Sequence, residues 1–204
     1  GIIEPLGTWV MREACRTFAE WQRRFPESQL EYVTVNVSAK QLVQQGFIYL
    51  VEQVVEQNEM SPADLRLEIT ETALMDAPQF AAQVLSELRE FGVKIYLDDF
   101  GTGYSSLSYL KKFPIDVLKI DRTFVRDLHT DPDDAAICAA ILAMAHKLGL
   151  RVVAEGVENE EQLDFLKRHG CDMAQGFLLG KPMPATELTP LLLSRGGTTA
   201  RRQA

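Results

Sequence analysis

The stretch Tyr96-Leu97-Asp98-Asp99-Phe100-Gly101-Thr102-Gly103-Tyr104-Ser105-Ser106 decides how the rest of the chain is read. An apolar run over residues 93–97 stops at two adjacent carboxylates, and a glycine-rich turn follows. This pattern predicts a buried strand that presents two acids at its open end. Neighbouring like charges are costly unless a positive charge compensates them. A divalent cation on oxygen ligands, Mg²⁺, Mn²⁺ or Ca²⁺, is one solution. The plain alternative is an Asp-rich turn that caps a helix. The stretch alone does not separate the two.

Working outward, apolar runs over residues 32–38, 65–70, 116–121, 151–155 and 173–179 also read as strands. Helical periodicity fills the intervals at residues 6–24, 47–57, 79–91, 105–112, 132–148, 160–169 and 185–193. The first helix shows a stripe of Leu6, Val10, Ala14 and Phe18. The helix over 132–148 shows Ile137, Ile141, Met144, Ala145 and Leu148, with Asp133 and Asp134 in its first turn. Asn159 is placed to cap the next helix, and Lys167, Arg168 and His169 to close it. Residues 1–194 read as one domain, and the unpatterned segment 195–204 as a disordered tail.

Strands alternating with helices of this length require parallel pairing and crossover connections. Two α/β architectures satisfy that, an open doubly wound sheet and a (β/α)₈ barrel. Both gather functional groups at the carboxyl ends of the strands. A (β/α)₈ barrel takes about 250 residues. If the chain is a barrel, six strand candidates in 204 residues mean that part of it is missing, at the N-terminus. The chain opens with Gly1-Ile2-Ile3-Glu4-Pro5, as if cut from a longer protein.

The net charge of −8 argues against a DNA- or RNA-binding surface. A phosphate held at an acidic site would need metal ions between the two. Cys15, Cys138 and Cys171 are odd in number and lack CxxC spacing, so they read as buried thiols in a reducing compartment. His129, His146 and His169 are too dispersed for a histidine-rich zinc site.

The polar residues closing each apolar run form a coherent set: Asn36, Glu68 with Glu71, Asp98 with Asp99, Lys119 with Asp121, Glu155, and Gln175. Any one could be a helix cap or a satisfied polar group. Six consecutive strand ends of this kind are harder to explain by capping, because a parallel α/β fold converges them on one mouth. The chemistry that fits is metal-assisted phosphoryl hydrolysis, with two metals about 3.5–4 Å apart sharing a carboxylate. Asp98 with Asp99 or Glu68 would bridge them, and Lys119 would orient water or stabilise phosphate charge. A lysine paired structurally with a neighbouring acid is the other reading of Lys119. Asp99-Phe100-Gly101 matches a kinase metal motif, but its companion loops are missing, and no Walker A or G-x-S-x-G sequence occurs.

Asn36-Val37-Ser38, Leu67-Glu68-Ile69-Thr70-Glu71, Asp98 through Ser106, Leu118-Lys119-Ile120-Asp121, Ala154-Glu155-Gly156-Val157-Glu158 and Gln175-Gly176-Phe177 follow one another in this order. Together they resemble the EAL-domain cyclic di-GMP phosphodiesterases of bacteria, from Leu6 to about Pro184. The resemblance implies a modified TIM-type (β/α)₈ barrel, here lacking about two N-terminal strands. It implies hydrolysis of cyclic di-GMP to linear pGpG with Mg²⁺ or Mn²⁺, inhibition by Ca²⁺, and a role in second-messenger and biofilm control. It makes Asn36, Glu68, Asp98 and Asp99 metal ligands, Glu155 and Lys119 catalytic, and Gln175 and Asp121 substrate-binding. Glu71 would brace the loop of Gly101, Thr102 and Gly103, associated with dimer-coupled regulation. Implied partners are cyclic di-GMP, a second copy of the chain, and upstream sensory or GGDEF-type domains. The implied location is cytoplasmic, with a membrane-anchored parent allowed. The family's Glu-Ala-Leu motif, whose glutamate is a metal ligand, lies upstream of what Gly1-Ile2-Ile3 begins. The chain alone is therefore expected to be weak or inactive. The competing reading is a cyclic di-GMP receptor or protein-interaction module of the same fold.

Overall fold

The structure, a computed structural model, describes residues 2–28, 30–101 and 110–195. Its helices are α1 (Ile3–Arg24), α2 (Ala39–Leu42), α3 (Phe47–Gln57), α4 (Glu71–Met75), α5 (Pro78–Phe91), α6 (Arg122–Arg126), α7 (Pro132–Lys147), α8 (Glu160–Arg168) and α9 (Ala185–Arg195). Its strands are β1 (Val33–Asn36), β2 (Leu65–Thr70), β3 (Lys94–Phe100), β4 (Val117–Ile120), β5 (Arg151–Ala154) and β6 (Met173–Ala174). In the sheet they follow chain order, β1-β2-β3-β4-β5-β6. A doubly wound sheet reverses its order at a switch point, so this sequence of strands is the barrel topology of the two architectures. The pairs β3–β4, β4–β5 and β5–β6 are parallel. Among the described residues no helix is long and apolar enough to cross a membrane.

The chain divides into two compact units. The first contains the chain up to Leu67, residues Glu87–Lys94 and the segment from Pro182 onward. Here α1 buries Met11, Cys15, Phe18 and Ala19; Phe18 is buried as expected, whereas Leu6 and Val10 of the expected stripe are exposed. Arg23 and Arg24 end α1, where cations favour the helix dipole. Ser38 and Gln41 form a reciprocal capping box that starts α2. α3 buries Phe47, Val51, Val54 and Val55 along one stripe.

The second unit contains Glu68–Ser86 and Ile95–Lys181. Every residue of β4 is buried, as expected of a strand covered on both faces. Tyr96, Val117 and Val153 from β3, β4 and β5 pack together with Met173 against them. Strand entry is anchored by carboxylates. Asp116 Oδ2 accepts from the Ile95 amide at 3.0 Å, and Asp172 Oδ2 from the Val152 amide at 2.8 Å and from His146 at 2.9 Å. α7 follows its end signals closely, with Asp131 capping, Pro132 at its first position, and His146 and Lys147 in its last turn. Its buried residues are Cys138, Ile141, Leu142 and Ala145, whereas Ile137 is exposed. α8 starts at the predicted Asn159, in a capping box with Gln162.

Two strand ends lie three or more residues from where they were expected. β3 continues through both aspartates to Phe100 rather than ending at Leu97. β6 ends at Ala174 rather than residue 179. The reason for the second is the close approach of Gly176 to the backbone of Val157. Leu178 donates to Val157 O, and Leu179 and Gly180 to Gly176 O, so these amides serve a turn instead of a ladder. The helix expected over 105–112 falls largely outside the described residues, as does the tail beyond 195.

Gly176→Ala places a methyl group against the Val157 backbone and should destabilise the protein by about 1–3 kcal/mol, the cost of overpacking. Urea unfolding measures this, and an unchanged midpoint would disprove the close approach. Burial pushes the Cys15 and Cys138 thiols up to about 12, and half-buried Cys171 to about 11. An alkylating reagent at pH 8 should therefore modify Cys171 first and leave Cys15 and Cys138 untouched until unfolding. Rapid labelling of Cys15 in the native protein would contradict its burial.

Candidate active site

Four strand ends of the second unit build the site. β2 contributes Glu68, β3 Asp98 and Asp99, β4 Lys119, and the residue after β5 is Glu155. In a regular strand Asp98 and Asp99 would point to opposite faces. The chain avoids that with a bulge. From Leu97 to Phe100 β3 advances three residues, while its partner advances two, from Leu118 to Ile120. Asp99 takes up the extra residue with φ 55°, a left-handed conformation that aspartate tolerates better than most side chains. The Asp99 amide donates to Asp98 Oδ1 at 3.1 Å. As a result Asp98, Asp99 and Glu155 each aim an oxygen into one cluster, all within 4.8 Å of one another.

Lys119 lies at the centre of this charge and is 3% exposed. Its ammonium reaches Glu68 Oε2 at 2.8 Å, Asp98 Oδ1 at 2.9 Å and Glu155 Oε1 at 2.7 Å. Burial by itself lowers a lysine pKa; here the hydrogen bonds to Glu155 and Glu68 outweigh it and hold Lys119 above its ordinary value. Glu155 is raised, first by burial and then by the charges of Asp98 and Glu68, against the opposing pull of Lys119. Asp99 is raised by burial, by the charges of Asp98 and Asp121, and by a hydrogen bond with Asp121. One ammonium among three carboxylates leaves two negative charges unmatched, before Asp99 and Asp121 are added. A hard divalent cation supplies the missing charge, and clustered carboxylate oxygens are its preferred donors. The residues present thus fit a divalent metal.

The remaining predicted residues are placed as follows. Asp121 caps α6, accepting from the Thr123 amide at 2.9 Å and the Thr123 hydroxyl at 2.6 Å. Gln175 is exposed and lines a cleft of about 210 Å³ together with Glu155, Arg122, Glu158 and Phe177. Glu71 opens α4 behind the Thr70 cap. Gly101 has φ 99°, and a Cβ there would lie 2.7 Å from the Phe124 ring, so two constraints demand glycine. Thr102 and Gly103 lie outside the described residues. Asn36 closes β1 in the first unit, where it is exposed. Arg122, on the cleft wall, was not singled out from the sequence, although it directly follows the Lys119-Ile120-Asp121 run.

A family model for the EAL domain matches residues 1–182. The chain belongs to the EAL-domain family. It is 45% identical over 189 residues to MucR of Pseudomonas aeruginosa, a bifunctional diguanylate cyclase/cyclic di-GMP phosphodiesterase, a match covering 92% of this chain and 27% of MucR. PdeR of Escherichia coli, a cyclic di-GMP phosphodiesterase, is 41% identical over 185 residues, covering 91% of this chain and 28% of PdeR. This EAL-domain chain spans about a quarter of the length of the curated relatives it matches. Among solved structures, the MucR phosphodiesterase in complex with cyclic di-GMP superposes with a TM-score of 0.87 at 45% identity, over 92% of this chain and 75% of that one. Klebsiella pneumoniae BlrP1 has been solved with cyclic di-GMP and manganese (TM-score 0.77, 28% identity, 86% of this chain and 44% of that one). Its complex with cyclic di-GMP and calcium gives a TM-score of 0.76 at 29% identity, over 84% and 43%.

Replacing Lys119 by Met removes the cation that Glu68, Asp98 and Glu155 of this EAL-domain site share. The change should cost about 3–5 kcal/mol, the usual penalty for stranding buried charge. Denaturant titration reads it, and a neutral effect would show that the three ion pairs contribute little to the fold.

Proposed function

We propose that this chain carries the catalytic machinery of a metal-dependent phosphodiesterase that hydrolyses cyclic di-GMP to linear pGpG. The observation that carries the reading is the convergence of Asp98, Asp99 and Glu155 around a lysine already saturated by acids. Such a cluster has no use for a further anion unless divalent cations join it. Family membership and relatives described as acting on or binding cyclic di-GMP support the substrate. The manganese and calcium complexes of BlrP1 support a divalent ion.

In this reading Asp98, Asp99 and Glu68 would hold Mg²⁺ or Mn²⁺. When bound, the metals polarise the phosphate and lower the pKa of a coordinated water toward neutrality. The chain's own residues do the rest. Lys119 keeps Glu68, Asp98 and Glu155 in register, and its ammonium would reach the water by releasing one of these three carboxylates. Glu155, whose pKa burial raises, is suited to accept a proton as general base. Gln175 and Asp121 hold the nucleotide, and Glu71 braces the loop that Gly101 begins. Ca²⁺ would occupy the same carboxylates without supporting turnover. A cytoplasmic protein, assembled as a homodimer with sensory or GGDEF-type domains elsewhere in the parent, completes the proposal.

The test is turnover of cyclic di-GMP by the full-length parent protein in Mn²⁺, Mg²⁺ and Ca²⁺, with pGpG resolved by chromatography. Hydrolysis with Mn²⁺ or Mg²⁺ and arrest with Ca²⁺ are expected. Tight binding without turnover in any metal would instead identify a receptor. Asp98→Asn should lower the rate by at least about a hundredfold, the upper end seen when even outer partners of metal ligands are changed. The same substitution should erase the rise in melting temperature that Mn²⁺ gives the wild-type protein. A variant still stabilised by Mn²⁺ would remove Asp98 from the ligand set.

A further inference from the structure

We propose that Arg122 binds the phosphate of cyclic di-GMP that is not being cleaved, so that it acts as a substrate-binding residue of the same site. The inference rests on the phosphodiesterase reading above. Cyclic di-GMP carries two phosphodiesters in one ring, and only one can sit at the carboxylate cluster during cleavage. The other brings a full negative charge to a neighbourhood containing Glu155, Glu158, Asp99 and Asp121. It needs a cation of its own.

Lys119 cannot serve. It is buried, and its ammonium already meets three carboxylates at 2.7–2.9 Å. Lys181 stands over the Phe177 ring, 5.7 Å from its centroid. Arg122 is different. It is exposed, it lines the same cleft as Glu155 and Gln175, and among the described residues it makes no ion pair or hydrogen bond. The backbone holds its stem in place. Arg122 is the first residue of α6, behind the Asp121 cap, and Gly156 leaves room for it: a Cβ at Gly156 would lie 2.6 Å from Arg122 Cβ. Gly156 has φ 71°, so the turn after Glu155 is itself shaped to let Arg122 approach. A guanidinium carries parallel donors that match a phosphate with two hydrogen bonds, which a lysine cannot reproduce. Glu155 and Arg122 thus flank one cleft, the acid set for the reacting end of the ligand and the fork for the distant phosphate.

Steady-state kinetics with Mn²⁺ on two substrates test this. Cyclic di-GMP has the second phosphate; bis(p-nitrophenyl) phosphate does not. Arg122→Ala should lower the ratio of kcat/KM for cyclic di-GMP to that for the small diester by about tenfold or more, as loss of a charged hydrogen bond implies, mostly through KM. Arg122→Lys should recover part of that ratio. Equal losses on both substrates, or a ratio within about twofold of wild type, would overturn the assignment. If the wild-type protein binds cyclic di-GMP but hydrolyses none of it, the phosphodiesterase reading fails on its own. Titration then decides for Arg122: about tenfold weaker binding of cyclic di-GMP by Arg122→Ala sustains it, and equal binding refutes it.

Discussion

A single buried ammonium organises the second unit. Lys119 stands in the middle of β4 with apolar neighbours on the strand, and it survives burial because Glu68, Asp98 and Glu155 reach it from three other chain segments. Each of those acids depends on it in turn. The ends of β2, β3, β4 and β5 are thereby tied through side chains in addition to the backbone ladders of the parallel sheet. Burying such a group is seldom the cheapest way to stabilise a fold, since apolar packing of equal volume often does better. Its presence points to chemistry. The arrangement leaves an excess of negative charge aimed at one place, which is what a divalent cation requires.

The bulge in β3 is the second device. A regular strand alternates its side chains, so adjacent aspartates cannot share a site. One added residue and one left-handed aspartate turn both carboxylates toward Glu155. Such a conformation stores strain of about 1–3 kcal/mol, and the ladder on either side holds it in place. Glycines complete the same region. Gly101, Gly156 and Gly176 lie next to Phe124, Arg122 and Val157 at distances that leave no room for a side chain. The mouth of the sheet is built from segments that approach one another more closely than residues with a Cβ allow.

Much of this was legible beforehand, and the particulars explain why. β2 and α3 have the predicted limits, since their apolar periods are strong and their ends carry turn signals. Asn159 caps the helix it was expected to cap, because capping is a local matter of one side chain and two amides. The polar residues Glu68, Asp98, Asp99, Lys119 and Glu155 could be gathered from the strand ends before any coordinates, as parallel topology sends those ends to one side. The expected stripes of α1 and α7 were met in part: Phe18, Ile141 and Ala145 are buried, whereas Leu6, Val10 and Ile137 are exposed, because apolar residues border both sides of each stripe. The turn at Gly176 was read as strand because it is as apolar as the strand before it.

By itself the sequence determined the alternation of elements, the family, and the set of acids, amides and cation at the strand ends. These depend on periodicity and on residue chemistry, both of which are local. Only the tertiary structure decided that the strands run in unbroken order, that β3 bulges at Asp99, and that Lys119 is committed to three carboxylates at once. It alone set Arg122 beside Glu155 and Gln175. Such facts arise from contacts between residues far apart in the chain. Packing and charge compensation select them, and no local pattern records the outcome.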